Sequence, residues 1–327
     1  MKTIITIDGG IGRALTALPA LLYFAEKHQN EEFYVMIHGW DFLTWGFSQL
    51  QNRTFNPENK GTFEKYFWNA DRVIAPEPYR LPEYYRGEIN LIQAFHQEIN
   101  DSKDYENLPK EYIKLSQFED IKGHQVLHEV KELQKKQKTI VIQPYGSTAN
   151  RCPMGVFDSS FRSFPQKFYE TLVNQLSKSY NIIYMGAHEH HDGMSYKPQP
   201  DPNMREWIAI IRNADYFIGC DTCGQHFAKA VGQKASVLVA GTHKNNVSYP
   251  DEFHIIERNC EYYPAPMRIC GLDSSLATRL NEERILFTNE EIESVYQEIV
   301  NRIENKKEKS VVSRKITEVS SKFGSYV

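Results

Sequence analysis

Asp221-Thr222-Cys223-Gly224-Gln225-His226 gathers a carboxylate, a hydroxyl, a thiol and an imidazole into one short segment, between an apolar run ending at Gly219 and a helix-like run from Phe227 to Gly232. A strand that stops, turns tightly and hands over to a helix leaves unpaired amide groups at the positive end of the helix dipole. That combination suits a phosphate or diphosphate. Asp221 could contact a ligand or cap the following helix, and His226 could face a ligand or the core. Cys220 and Cys223 with His226 could instead imitate a metal site. The pair sits at the strand-to-helix turn, however, and Cys260 and Cys270 are too widely spaced for a knuckle, so no metal is expected. His188-Glu189-His190-His191 follows another strand end, where Glu189 could reach a ribose hydroxyl or lie in a solvated loop.

The elements that must position these groups alternate strand and helix, the pattern of a mostly parallel sheet covered on both faces. In the first half, 2–7 reads as a strand, 8–13 as a glycine turn, 14–28 as a helix kinked or begun by Pro19, and 32–38 as a second strand. From 39 to about 99 the periodicity weakens and aromatics crowd in, as a loop-rich core or as flat faces for an acceptor. The charged stretch 101–138 reads as a domain boundary. Beyond it, strands are predicted at 139–143, 181–185, 216–219 and 235–240, and helices at 166–178, 203–213 and 290–303. The last residues, 305–327, carry six Lys/Arg against two Glu, a local +4. With Val312, Ile316, Val319 and Phe323 at helical spacing, this tail reads as an amphipathic helix docking on the body or as a basic arm for an anionic partner. The expected organisation is 1–138, 139–304 and the tail.

Ligands of doubly wound sheets bind at the carboxyl ends of strands. Four such ends in the second half carry small or polar residues: Gly146-Ser147-Thr148, Gly186-Ala187, Asp221 to Gly224, and Gly241-Thr242. The first half offers one comparable rim, Asp8 to Arg13. That rim is not a dinucleotide fingerprint, because Leu15 stands where the third glycine is required and the second strand ends at His38-Gly39 without a carboxylate for a ribose. No Gly-Lys-Ser/Thr follows, so it is not a P-loop. Hydride transfer and P-loop phosphoryl transfer are both excluded.

Composition sets the outer bounds. A chain of 327 residues exceeds one ordinary core, and about 100–200 residues per domain makes two domains the default. Apolar residues at 41%, charged residues at 24% and a net charge of −4 describe a globular protein with no global attraction to nucleic acid or anionic membrane. No secretory signal and no apolar run long enough to span a bilayer is present, and five scattered cysteines form no disulfide framework. A cytoplasmic protein is expected.

Four segments in order resemble glycosyltransferase family 9, the ADP-heptose:lipopolysaccharide heptosyltransferase family. Residues Gly10 to Leu21 resemble the family's opening G-D-x-L-x-T-x-P-A-L. Gln143-Pro144-Tyr145-Gly146-Ser147 resembles H-P-G-S, and Arg162-Ser163-Phe164-Pro165 resembles K-x-W-P. Asp221-Thr222 with His226 to Ala230 resembles D-[ST]-G-x-x-H-x-A-x-A. The resemblance implies a GT-B α/β fold, two Rossmann-like doubly wound domains facing across a cleft, with the acceptor on the first half and a nucleotide-diphosphate sugar on the second. It implies inverting transfer without a metal or other cofactor. The donor side would comprise Gly146, Ser147, Thr148, Gly186, Glu189, Asp221, Thr222, Cys223, Gly224, Gln225 and His226, with Arg162 as the cation for the leaving diphosphate. The acceptor side would comprise Gly10, Gly12, His38 and Trp40.

The chain departs from the family at the Gly-Asp aspartate usually taken as the base, which is Arg13 here; a guanidinium cannot accept a proton. The glycine of the D-[ST]-G motif also comes one residue later. Either another carboxylate is the base, with Asp8 at the end of the first strand the candidate, or Arg13 binds an anionic group of the acceptor, or catalysis is lost. Asp8 could equally cap the glycine turn. The expected activity is glycosyl transfer to a hydroxyl, heptosyltransferase-like with a glycan acceptor. A glycosyltransferase acting on hydroxymethylated bases in DNA and an inactive sugar-nucleotide-binding or scaffold protein are the alternatives.

Overall fold

The computed structural model describes residues 1–158, 160–186, 192–258 and 280–304. The first half is built from β1 (Lys2–Ile7), α1 (Ile11–Lys27), β2 (Glu32–Ile37), β3 (Thr54–Phe55), β4 (Arg72–Ile74), α2 (Pro82–Tyr85) and α3 (Leu91–Asn100). Its four strands form a parallel sheet ordered β3-β2-β1-β4. β1 lies inside, paired with β2 from Lys2↔Glu32 to Ile7↔Ile37 and with β4 from Thr3↔Arg72 to Ile5↔Ile74. α1 starts at Ile11, earlier than its apolar spacing suggested, and continues through Pro19, which is buried inside the helix. The aromatic-rich stretch divides: Phe47, Phe55, Tyr84 and Phe95 are core, whereas Trp45, Phe63 and Trp68 face solvent.

A long helix, α4 (Gln117–Gln134), fills the charged stretch that the sequence presented as a boundary. Its capping box is complete, with the Ser116 hydroxyl accepting from the Glu119 amide and the Glu119 carboxylate accepting from the Ser116 amide. Its sequence is mostly polar and only Gly123 and Val130 are buried, so periodicity alone misses it. α4 is held by tertiary contact. A Cβ on Gly123 would stand 2.8 Å from the backbone carbon of Ala209, so the absent side chain lets the two helices touch.

The second half comprises β5 (Thr139–Gln143), β6 (Asn150–Cys152), β7 (Gly155–Phe157), α5 (Gln166–Leu176), β8 (Asn181–Tyr184), α6 (Met204–Asn213), β9 (Tyr216–Cys220), α7 (Cys223–Ala230), β10 (Ala235–Val239), α8 (Lys244–Val247), β11 (His254–Glu257) and α9 (Asn289–Glu304). Five strands make a parallel sheet ordered β11-β10-β9-β5-β8, and β6 and β7 form a separate antiparallel hairpin. β5, β8, β9 and β10 are buried at every residue, as a parallel sheet covered on both faces requires. Alternation sorts their side chains: Ile140, Ile142, Ile218 and Leu238 pack on one side with α5 and α9, while Val141, Phe217 and Val237 pack on the other with α6, α7 and the first half.

Both sheets change direction at one point. In the first, the chain builds outward from β1 through β2 and β3, then returns to place β4 on the other side of β1. In the second, it leaves β5 for β8 and returns to place β9 on the other side of β5. The crevice outside the strand ends at such a switch is the site the fold leaves open. In this chain those ends are Asp8 to Arg13 and Pro76-Glu77 in one half, and Gln143 to Thr148 and Asp221 to Cys223 in the other.

Candidate active site

The two switch points face each other across a cleft of about 700 Å³. Gly10, Gly12, Arg13 and Trp40 line it from the first half; Gly146, Ser147, Thr148, Arg162, Gly186, Asp221, Thr222, Cys223 and His226 line it from the second. Residues more than two hundred positions apart therefore share one wall system. Four predicted residues stand outside that wall. Asp8 is 75% exposed, with its carboxylate 3.3 Å from Arg13 Nε. His38 faces Glu58 at 3.5 Å. Gly224 and Gln225 are fully buried behind it. Glu189, Cys260, Cys270 and the tail 305–327 lie outside the described residues.

α1 and α7 bring their first turns together. A Cβ on Gly12 would come within 3.0 Å of His226 Cδ2, so the absence of a side chain at Gly12 sets how closely the halves approach. His226 Nδ1 is 2.7 Å from the Tyr249 hydroxyl. Burial pushes its imidazole down to about 4, only partly opposed by the charge of Asp221, and Arg162 pushes it the same way. His226 is therefore neutral at neutral pH, a hydrogen-bonding group rather than a cation. Burial likewise raises the Cys223 thiol, keeping it protonated and poorly nucleophilic.

Asp221 does not cap α7. Thr222 is the N-cap, while the Asp221 carboxylate accepts from Gln225 Nε2 at 3.0 Å and from the Thr242 hydroxyl at 3.1 Å. Those two bonds fix a carboxylate only 5% exposed in the cleft wall. Nor is the α7 N-terminus an open anion hole. Gln143, at the end of β5, turns its Oε1 to accept from the Gly224 amide at 2.9 Å and the Thr222 hydroxyl at 2.6 Å. The adjacent β-strand thus occupies one amide that the sequence offered to a diphosphate.

Arg13 is locked on the other side of the cleft. Its guanidinium donates to the Pro76 carbonyl at 2.9 Å, meets Glu77 at 3.5 Å and lies 5.0 Å from the Tyr79 ring centre. The side chain is 13% exposed. It is a fixed cation tying α1 to the turn after β4, and the aromatic face beneath it holds it in place.

The loop between Ser147 and Arg162 hangs from one residue that motif reading passed over, Asp158. This buried carboxylate accepts from the hydroxyls of Thr148 at 3.1 Å, Ser160 at 2.5 Å and Ser163 at 2.6 Å, and from the amides of Ser160 and Ser163. Burial works to raise its carboxyl; the Ser160 and Ser163 donors, with the charge of Arg162, outweigh burial and hold it below the ordinary carboxylate range. The Thr148 hydroxyl is thereby committed to Asp158, while Ser147 is exposed in the cleft wall. The run Asp158-x-Ser160-x-x-Ser163 was the available signal, since an aspartate followed at short spacing by serines commonly folds back on its own backbone. Tyr79, Tyr84, Asp201 and Trp207 also line the cleft without having carried a motif.

Two parallel α/β sheets meeting across a cleft at their switch points define the GT-B architecture, and solved structures place the chain nearer to one kind. In fold it is similar to Escherichia coli heptosyltransferase WaaC solved with ADP (13% identity, TM-score 0.55, 93% of this chain and 98% of that one). It is similar to E. coli ADP-heptose LPS heptosyltransferase II (12%, 0.56, 85% and 98%) and to a family 9 glycosyl transferase from Veillonella parvula DSM 2008 (9%, 0.55, 91% and 97%). The fold is heptosyltransferase-like. No protein-family model matches the sequence, and no curated protein matches it. Among the described residues, no helix is long and apolar enough to cross a membrane, and no group of three His, Cys, Asp or Glu is placed to hold a metal ion.

Proposed function

We propose that the chain is an inverting glycosyltransferase that needs no metal, taking a nucleotide-diphosphate sugar on its second half and a hydroxyl of a glycan acceptor on its first. The observation carrying this reading is that Arg162 and Ser147, after β5, and Asp221, after β9, line the same cleft as Arg13 from the opposite half. Arg162 and the Ser147 hydroxyl meet the diphosphate as charge develops on it, preorganised donors in a partly dry site. In WaaC the ligand is ADP; here we take only the nucleoside diphosphate class. Asp221, rather than the exposed Asp8, is the proton acceptor we assign, because its carboxylate is held in the wall of the cleft that the two halves share. The acceptor oxygen gives its proton to Asp221 and attacks the anomeric carbon from the face opposite the diphosphate. The carbon–oxygen bond to the diphosphate breaks with its electron pair leaving on phosphate. Arg13 offers a fixed charge to an anionic acceptor and takes no part in proton transfer.

The test is release of nucleoside diphosphate from a panel of nucleotide sugars with glycan acceptors. Asp221→Asn and Arg162→Ala should lose at least a hundredfold in kcat, the range of a lost general base or oxyanion donor; Asp8→Asn should stay within a few-fold. A wild-type protein that releases none, yet gains thermal stability with ADP, UDP, GDP or CDP, would be a sugar-nucleotide-binding protein instead.

A further inference from the structure

Arg162 is suspended from a buried carboxylate through one intervening hydroxyl. Its Nε donates to Ser160 Oγ at 3.0 Å, and Ser160 Oγ donates onward to Asp158 Oδ1 at 2.5 Å. With Nε engaged, the terminal nitrogens are the part of the guanidinium that a ligand in the cleft would meet. The same carboxylate holds the other edge of the cleft. Its second oxygen accepts from Ser163 Oγ, and that hydroxyl accepts from the Gly146 amide at 2.9 Å, next to Ser147. Asp158 therefore sets the separation between Ser147 and Arg162, although fourteen residues including the β6–β7 hairpin intervene between the two.

We infer that Asp158 and Ser160 are positioning residues for the anion-binding cation of this site, fixing the Arg162 guanidinium against a diphosphate. The inference rests on the reading of Arg162 as the diphosphate cation. An arginine on a mobile loop must lose its rotamer freedom each time it binds, and an arginine already held at Nε has lost it beforehand. The buried carboxylate also balances the guanidinium charge through the intervening hydroxyl, which keeps the cation stable in a half-buried wall without placing a carboxylate oxygen in the ligand's path.

A double-mutant cycle on the intact chain tests it, with affinity read by calorimetry for ADP, UDP, GDP and CDP and, separately, for inorganic pyrophosphate. Ser160→Ala should weaken binding about tenfold, the worth of one good hydrogen bond to a charged group. Ser160→Thr, which keeps the hydroxyl, should restore most of it. In an Arg162→Ala background the Ser160→Ala change should cost nothing further, because its effect passes through the arginine. Equal losses in both backgrounds would mean Ser160 only supports the loop and would overturn the inference, as would an Arg162→Ala protein that binds like wild type. If no nucleoside diphosphate binds but pyrophosphate does, the donor assignment fails while the relay is judged on pyrophosphate. Binding of neither overturns both.

Discussion

Gln143 and Gly224 meet at 2.9 Å, the side-chain carbonyl of one strand end accepting the second amide of the neighbouring helix. Gln143 lies on β5 and Gly224 on α7, so the bond crosses the switch point of the second sheet. A Cβ at position 224 would stand 2.3 Å from that same Gln143 oxygen, so the contact needs glycine. Two donors, the Gly224 amide and the Thr222 hydroxyl, converge on one acceptor.

Replacing Gln143 with leucine keeps the volume and removes the acceptor. The buried Gly224 amide would then be without a partner, at about 1–3 kcal/mol for such a group, while the partly buried Thr222 hydroxyl would keep only the Cys220 carbonyl at 3.4 Å. A loss of about 2 kcal/mol or more in urea unfolding is expected, and a midpoint equal to that of wild type would show that water replaces the side chain at no cost.

Protonating His226 should destabilise the protein in mild acid. The unfolded imidazole takes up a proton near 6.5, whereas the folded one does so only near 4, so the unfolded state binds more protons between those values. Stability is complete above the unfolded value and falls as the pH drops through this window, by about 3 kcal/mol from this residue. His96 and His254 are shifted down by burial in the same sense. Melting temperatures at pH 7 and 4.5 should differ markedly for wild type and less for His226→Gln, and equal slopes would argue that the ring is solvated.

Arg205 fastens the two halves from behind the cleft. It is buried, ion-paired with Glu119 through two nitrogens, and donates to the carbonyls of Phe42 at 3.0 Å and Lys114 at 2.5 Å. Arg205→Met leaves a shielded carboxylate and two carbonyls without their donor, a loss of about 3–5 kcal/mol for breaking a buried pair. Chemical denaturation of the variant checks this; a loss under 1 kcal/mol would show that Glu119 rotates into solvent.

Arg13→Asp, which introduces the aspartate of the glycosyltransferase family 9 motif that the segment resembles, should not create a base. The new carboxylate would face Asp8 and Glu77, the two acids that Arg13 now meets at 3.3 and 3.5 Å. A lower melting temperature and no gain in nucleoside diphosphate release are expected, the like charges costing stability. Faster turnover would instead make position 13 the seat of the base.

Much of the fold was legible in the sequence, because a covered parallel sheet demands unbroken apolar strands. Thr139–Gln143 stands where the residues placed it, and Tyr216–Cys220 and Ala235–Val239 differ by a residue at one end. The strand-end rims were legible for the same reason: short side chains follow an apolar run where the backbone must turn. α4 was hidden because its burial depends on α6, a neighbour distant in sequence. The sequence by itself therefore determined the buried strands of the parallel sheets and which polar segments end them, since local spacing and strand hydrophobicity carry that information, but not α4 or the β6–β7 hairpin. Only tertiary structure decided what each polar group faces. Gln143 filled the amide expected to be free, Asp221 was tied to the Gln225 and Thr242 side chains rather than to the amides of its helix, and Arg13 was locked against Pro76 and Glu77. Apart from the local Asp221–Gln225 bond, these contacts join residues tens of positions apart and are settled by packing, which no local pattern records.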